Sequence, residues 1–410
     1  MFGFCNMIEG GRKKLLTQLL TSDYKFPGIT YTQSGNLTYF DSTGTLKTAG
    51  VDTMVLDYDP STLVLRGYPF WEQRTNSCLQ SEDFATTWAI GGTGTPTVTT
   101  NTTVAPDGNQ TADTLTGNDG TNSNRWSQAI TLGNSTTYTY SLFVKNSTAL
   151  QTFIRIITAG ANNTSMFLNW TGATLTSQAV GGTITPTVSK TSLNNGWYRV
   201  TLTFTSGGAD AGSATLQIYP EEGTVNKSLI VWGSMFETGA FVTPYIKTTT
   251  AAVTRAAPSC AITGSNFTSF WNATQGTMLC TAIPADTSSA QERAIAADDG
   301  TTNNYLDISR VGTSAQVRMV VANGGVPQFN NIVDSWPILT KYKAALSYQA
   351  ANFAACLNGG TVVTKASGTI PTVTTFRIGN LNGGNFWNGW VQTASYYGSA
   401  LPNSIKSLTT

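Results

Sequence analysis

The sequence predicts a mainly β protein: two consecutive antiparallel β-sandwiches of jelly-roll type, preceded by a short N-terminal helix and a small β collar. Three observations predict it. Charged residues make up 11% of the 410 positions, against roughly 25% in an average soluble protein. Their place is taken by Thr, Ser, Asn and 40 Gly, the composition of many short strands joined by tight turns. Short runs of alternating apolar and polar residues recur through both halves of the chain, without helical periodicity between them. Apolar residues at 40% are enough to fill packed cores, so a disordered chain is excluded.

Residues 1–28 read as a helical anchor. Leu15, Leu16, Leu19 and Leu20 fall at helical spacing, Arg12, Lys13 and Lys14 group on the polar side, and Pro27-Gly28 ends the run. A lone amphipathic helix cannot bury its leucines by itself, so it packs on its own body or docks onto another subunit. Residues 29–78 read as a β-rich collar: ITYTQ, LTYFD and TLKTA alternate around Ser34-Gly35-Asn36 and Ser42-Thr43-Gly44. Its aromatics Tyr68, Phe70 and Trp71 are too many for so small a unit to bury, and an inter-chain contact is expected there. Residues 79–247 carry the first sandwich, with TYTYSLFVK (137–145), TFIRIITA (152–159), WYRVTLTFT (197–205), ATLQIYP (214–220) and SLIVWGSMFE (228–237) as its clearest strands. A Thr/Ala-rich linker spans 248–259. Residues 260–410 form the second sandwich, through GTMLCTAIP (276–284), NYLDISRV (304–311), AQVRMVVA (315–322), YKAALSYQ (342–349), FAACLNG (353–359), FRIGNL (376–381) and WVQTASYYG (390–398).

Composition also excludes functions. There is no histidine, which removes Ser-His-Asp and Cys-His catalysis, His-ligated zinc and an imidazole proton shuttle. A net charge of +1 gives no electrostatic basis for binding nucleic acid. No apolar run approaches the ~18 residues of a membrane span, and the basic cluster follows the first apolar residues instead of preceding them as in a signal peptide. Synthesis in a host cytoplasm without membrane insertion is expected. The five cysteines (Cys5, Cys78, Cys260, Cys280, Cys356) lack paired spacing and read as small buried thiols; spacing alone does not decide a Cys260–Cys280 bridge.

The stretch ITYTQSGNLTYFDSTGTLKTA, followed by EQRTNSCLQSEDF, resembles the collar of tailed-bacteriophage virion proteins, in tail fibres and head fibres alike. SEDFATTW, APDGNQTADTL, TYTYSLFVK and GWYRVTLTF with LIVWGSMFETGAFVTPYI resemble the carbohydrate-binding-module-like jelly roll of phage spikes and fibres. VTRAAPSCAITG, GTMLCTAIP, KAALSY, CLNGG and FWNGWVQTASYYGSALP resemble the laminin-G or concanavalin A-like sandwich at the ends of such fibres. The resemblance implies a structural protein on the virion surface, on tail or capsid, that projects glycan-binding sandwiches for host attachment. Its implied partners are other virion proteins through the N-terminal segment, two further copies in a homotrimer, and a host-surface glycan. A decoration or stalk protein without a ligand is the alternative, and a polysaccharide depolymerase a less favoured one.

Sugar recognition stacks pyranose faces on aromatic rings and orients them with amides and acids. In the first sandwich Trp126 and Trp170 have polar flanks and are the expected stacking residues. In the second, Asp298, Asp299 and Asn303 form one polar loop and Asn385, Trp387 and Asn388 another, both expected at a binding rim. No cofactor is expected other than a structural calcium, which would use Glu82, Asp83 and Glu237; turn and capping roles are the alternative for these acids. Glycoside hydrolysis needs two facing acids, and Glu221-Glu222 and Asp298-Asp299 are neighbours whose side chains diverge, so no enzyme and no catalytic residues are expected.

Overall fold

The computed structural model describes residues 7–9, 12–14, 16–21, 23–118, 123–220, 226–286 and 291–410. The predicted fold class holds: antiparallel sheets dominate, and helix among the described residues is confined to Gly264–Thr268, Ile405–Thr409 and three 3-10 turns.

The middle sandwich consists of two six-stranded sheets. One runs in the order Ala89–Gly91, Arg125–Leu132, Gly212–Tyr219, Gln151–Ile157, Asn163–Thr171 and Thr174–Gly182. The other runs Thr97–Thr103, Ala112–Gly117, Lys227–Thr238, Thr137–Asn146, Tyr198–Thr205 and Thr187–Ser192. The period of two along each strand sends Ile154, Ile156, Met166, Leu168, Leu216 and Ile218 inward from the first sheet. They meet Leu115, Tyr140, Leu142, Val200, Leu202 and Val231 from the second. The opposite parity of the second sheet carries Phe143, Ile230 and Trp232, and these are covered by Leu46, Tyr245 and Ile246.

The other sandwich is assembled from both ends of the chain. Its seven-stranded sheet runs Val326–Ser335, Gln316–Asn323, Tyr305–Val311, Glu292–Asp298, Thr375–Ile378, Ser259–Thr263 and Thr30–Thr32. In the facing sheet Gln275–Pro284 pairs with Gly389–Tyr397, whose far edge pairs with Leu16–Thr21 and with Leu65–Phe70. Leu20, Tyr68 and Phe70 enter the same core as Met278, Leu346, Trp387 and Tyr396.

These pairings correct four expectations. The N-terminal helix is replaced by strands: Met7–Glu9 pairs with Arg12–Lys14, and Leu16–Thr21 lies in register against Gly389–Tyr397. Leu20 is fully buried in its own chain, not offered to another subunit; Leu15 and the side chains of Leu16 and Leu19 lie outside the described residues. Leucines spaced by four suit a helix, but an open sheet edge supplies backbone partners for every residue, which a solitary helix cannot match with its packing. The collar is not a separate unit. Tyr68 and Phe70 are in the terminal sandwich's core, and Trp71 packs with Leu37, Ala49, Ile283 and Trp390, all within one chain. The stretch 248–259 is not a plain linker either, because Val253–Arg255 pairs with Arg74–Asn76. Cys78, Cys260, Cys280 and Cys356 are buried free thiols, so Cys260 and Cys280 form no bridge.

That last strand pair is the neck between the sandwiches. The chain runs into the middle sandwich through Arg74–Asn76 and returns through Val253–Arg255, so the middle sandwich is an insertion in the other one. Asn76 is fully buried and fills its side-chain capacity: its amide donates to the carbonyls of Ser234 (3.0 Å) and Ile246 (2.7 Å). Its oxygen accepts the N–H groups of Cys78 and Phe236, each at 3.0 Å. Arg255, 1% exposed, donates to the carbonyls of Glu72 (2.9 Å) and Pro244 (3.1 Å).

Leu20→Ala is expected to lower the unfolding free energy by about 2–5 kcal/mol, the range for deleting a fully buried leucine. Urea titration of the full chain measures it, and an unchanged midpoint would mean that the strand Leu16–Thr21 does not dock.

Candidate functional site

The residues expected to bind sugar are placed elsewhere by the fold. Trp126 and Trp387 are fully buried and Trp170 is 5% exposed. Trp387 donates its indole N–H to the carbonyl of Trp390 (3.1 Å), and Trp170 donates to the Thr152 hydroxyl (3.0 Å). None can present a ring to a sugar: the polar flanks of Trp126 and Trp170 mark their strands' exposed parity and the tryptophans take the other, while Trp387 lies in the loop before Gly389–Tyr397 beside fully buried Asn388. Asp298 is buried and paired with Arg377 at 2.6 Å, while Asn388 accepts the Glu72 N–H at 2.8 Å and so ties the neck to the terminal sandwich. Asp299 is spent on its own loop, accepting from Thr301 (2.9 Å) and Asn304 (2.8 Å). Asn303 and Asn385 are exposed, and their carbonyls accept the N–H groups of Gly325 and Arg293 from other segments.

The calcium set is likewise dispersed among protein donors. Glu82 pairs with Lys247 at 2.6 Å, and Asp83 caps a turn through the N–H groups of Ala85 and Thr86. Glu237, fully buried, accepts from the N–H and hydroxyl of Thr243 (3.0 and 2.7 Å) and faces Arg74 at 3.5 Å. Among the described residues no group of three acids or thiols is placed to hold a metal ion.

The geometry brings other residues together, in a cleft of about 450 Å³ between the two sandwiches. That volume lies within the range of small-molecule sites, and a domain boundary is a common place for one. Its floor is the edge of the middle sandwich. Alternation in Thr187–Ser192 puts Thr187, Ser189 and Thr191 on one face, and pairing sets Thr203, Thr201 and Arg199 beside them in turn. The result is a ladder of hydroxyl groups. One wall is the collar hairpin, Thr38–Phe40 against Leu46–Thr48, which presents Tyr39 and Phe40 half-exposed. Thr38 donates its hydroxyl to the carbonyl of Tyr245 (2.7 Å), and the Leu46 N–H donates to Pro106 (2.9 Å), which holds the hairpin on the middle sandwich.

The remaining wall is the stretch after Thr238. Gly239 has φ 139°, and a Cβ there would collide with the Arg74 guanidinium, so the chain turns tightly and delivers Phe241 to the cleft. Phe241 is half-exposed beside Trp71 (ring centres 6.5 Å apart), and Trp71 meets Trp390 edge-to-face at 5.3 Å. Ile338 and Leu339, 37% and 62% exposed, complete the lining from the terminal sandwich.

Most of the cleft's charges are matched internally. Arg66 pairs with Asp59 at 2.6 Å and lies 4.7 Å from the centre of the Trp390 ring. Arg199 donates to the Thr243 carbonyl (2.8 Å) and the Ser141 hydroxyl (2.9 Å); burial pulls it down to about 10, against the pull of nearby Glu237. Lys190 donates to the Leu175 carbonyl. Asp57, 5% exposed, accepts the Trp390 indole N–H (2.6 Å) and the Phe40 N–H (2.7 Å). Burial nonetheless pushes its carboxyl up to about 6, those hydrogen bonds and Arg66 offsetting part of the rise. Half-exposed rings, a hydroxyl ladder and compensated charge suit an uncharged polyhydroxylated ligand.

Sequence reasoning passed over Tyr39, Phe40 and Phe241. Paired aromatics in LTYFD and an aromatic after a glycine turn in TGAFV were the available signals. Nothing in the pattern shows that these segments converge.

The chain matches no protein-family model and no curated protein. Solved structures that resemble it are β-rich. The CBM40 module of the Ruminococcus gnavus IT-sialidase bound to α2,3-sialyllactose is 14% identical, covers 34% of this chain and 84% of its own, and superposes with a TM-score of 0.29. The Trypanosoma rangeli sialidase is 10% identical over 61% of this chain and 51% of its own, TM-score 0.29. Domains LG4-5 of the mouse laminin α1 chain are 9% identical over 70% of this chain and 88% of their own, TM-score 0.24. Superpositions this loose carry no argument about function.

Asp57 gives the cleft a pH signature. Its folded value lies above its unfolded one, so its contribution to stability is fully present below about pH 4 and is lost as pH rises through about 6. The rise from 3.8 to about 6 corresponds to about 3 kcal/mol. Thermal unfolding between pH 4 and 7 is expected to show a shallower pH dependence in Asp57→Asn than in the native chain; equal slopes would contradict it.

Proposed function

We propose that this chain is a non-catalytic attachment protein of a bacteriophage particle, and that the cleft between its sandwiches binds a neutral host-surface glycan. One observation carries the binding part: half-exposed Tyr39, Phe40 and Phe241 line the same ligand-sized space as the hydroxyl groups of Thr187, Ser189, Thr191, Thr201 and Thr203. Rings cover the apolar faces of a sugar, hydroxyls exchange hydrogen bonds with its rim, and the ion pairs around the cleft offer little to a charged competitor. The virion part is supported by the resemblance carried by residues 29–49 and 72–84. A homotrimer belongs to the same proposal, since several weak sites on one particle give avidity that one site lacks. A binding role, not hydrolysis, is favoured by the placement of the acids: Asp286 and Glu292, a pair of neighbours, are both fully buried, and Asp298 is held by Arg377.

Loss of one stacking ring removes about 0.5–1.5 kcal/mol, so Phe241→Ala is expected to weaken binding roughly 2- to 10-fold. An array of neutral oligosaccharides, probed with the multimerised full chain and this variant, reads it. No binding by the native chain ends the glycan reading. Gold-labelled antibody against the protein is expected to decorate intact particles, and unlabelled particles end the virion reading.

A further inference from the structure

Two residues of the cleft stand apart from its rings and hydroxyl groups. Ile338 and Leu339 line it from the terminal sandwich, and neither is packed into any of the hydrophobic cores. A single exposed aliphatic side chain is ordinary on a protein surface, so the exposure of this pair decides nothing by itself. What sets the pair apart is how it is held. Trp336, just before it, is fully buried, with its ring centre 5.1 Å from that of Trp387. Its backbone N–H donates to the Ala315 carbonyl (2.6 Å), and its own carbonyl accepts from Nε of Arg310 (2.7 Å). Its indole N–H donates to the Thr340 carbonyl (2.9 Å), closing a loop around Pro337, Ile338 and Leu339. The Leu339 N–H donates to the Pro284 carbonyl at 2.7 Å. The loop is fastened at both ends and in the middle.

Leu339 is the informative residue. Its φ is 56°, in the left-handed region, where the Cβ of any L-residue crowds its own backbone. Among the described residues most non-glycines found there are Asn or small side chains; the bulky aliphatic ones are Leu63 and Leu339. Leu63 is seated at the tip of the collar hairpin, where a Cβ on Gly44 would come within 2.9 Å of its methyl group. Leu339 instead stands 62% exposed at the cleft. A left-handed turn is better served by Gly or Asn, and a wet loop by a polar side chain. Leucine meets neither need, and local strain that no packing offsets is a mark of functional positions.

We infer that Ile338 and Leu339 make the cleft selective for a neutral sugar carrying a methyl group, either C6 of a 6-deoxyhexose or the methyl of an acetyl. The inference rests on the cleft being a glycan site. Aromatic rings cover the C–H face that hexoses share, and hydroxyl groups bond to the sugar's rim. Neither contact tells a methyl from a hydroxymethyl. Branched aliphatic side chains do: a methyl group gains by leaving water against them, whereas a hydroxymethyl would lose hydrogen bonds that they cannot return. Rings and hydroxyls thus hold the sugar, and the strained loop reads its substituent.

The test presents polyacrylamide conjugates of paired sugars to the immobilised full chain: L-rhamnose with L-mannose, L-fucose with L-galactose, and N-acetylglucosamine with glucose. The first two pairs differ only in the 6-hydroxyl, and the third reads the acetyl methyl. The native protein is expected to bind at least one methyl-bearing sugar about three- to tenfold more tightly than its partner. Leu339→Asn keeps the side chain's size and tolerates the left-handed turn, so it should bring that pair level without lowering the melting temperature. Leu339→Met should keep the preference, and Phe241→Ala should weaken both members of the pair. Equal binding within every pair, still lost on Phe241→Ala, overturns the selectivity and leaves the cleft reading standing; no binding of any conjugate overturns both. A preference that survives Leu339→Asn overturns the inference, as does binding untouched by Phe241→Ala, which places the sugar outside the cleft. A melting temperature several degrees lower in Leu339→Asn also overturns it, by showing that the leucine serves the fold.

Discussion

A pair of three-residue strands, Arg74–Asn76 and Val253–Arg255, is the one backbone connection between the sandwiches, and the geometry of the cleft depends on it. A single linker would let the two bodies swing. Two antiparallel passages, the first fastened to the middle sandwich by the four hydrogen bonds of Asn76, permit much less. Beside them Glu237 is surrounded by Arg74, Arg199 and Arg255, with burial raising the carboxyl and those cations favouring its charge. Such a cluster adds little net stability, but removing one member strands the others; breaking a buried pair costs roughly 3–5 kcal/mol. The neck is therefore a specificity device more than a source of stability. It fixes where Phe241 and Trp71 stand relative to Trp390.

Much of the architecture was legible because a sandwich strand writes its burial into the sequence every second residue. TYTYSLFVK and WYRVTLTFT could be read as one-sided strands from alternation alone. What could not be read is partnership. Leu16–Thr21 pairs with Gly389–Tyr397, and no local pattern records a partner that distant. Lacking it, the spacing of Leu15, Leu16, Leu19 and Leu20 favoured a helix. The collar was misjudged for the same reason: Tyr68 and Phe70 seemed too many for a small unit because their core belongs to residues some 200 or more positions away.

The sites failed in a more specific way. Trp126, Trp170 and Trp387 are core anchors: the polar neighbours of the first two are the outward parity of the same strands, and Trp387 sits in a loop beside buried Asn388. Rings that do reach solvent beside the cleft, such as Tyr39, Phe40 and Phe241, are smaller and less conspicuous. Composition was the better guide: the neutral, hydroxyl-rich surface it implies is what lines the cleft.

The insertion has a temporal side. The middle sandwich is built from strands lying between Ala89 and Thr238, so it can close as soon as that stretch has left the ribosome. The strand Leu16–Thr21 must wait for Gly389–Tyr397, a delay of about 20–70 s at ordinary rates of synthesis. Throughout that interval its edge is an open template for any passing strand. The order of assembly is thus inner body first, enclosing body last. Pairing across so great a sequence separation is intrinsically slow, which makes closure of the enclosing body the late step.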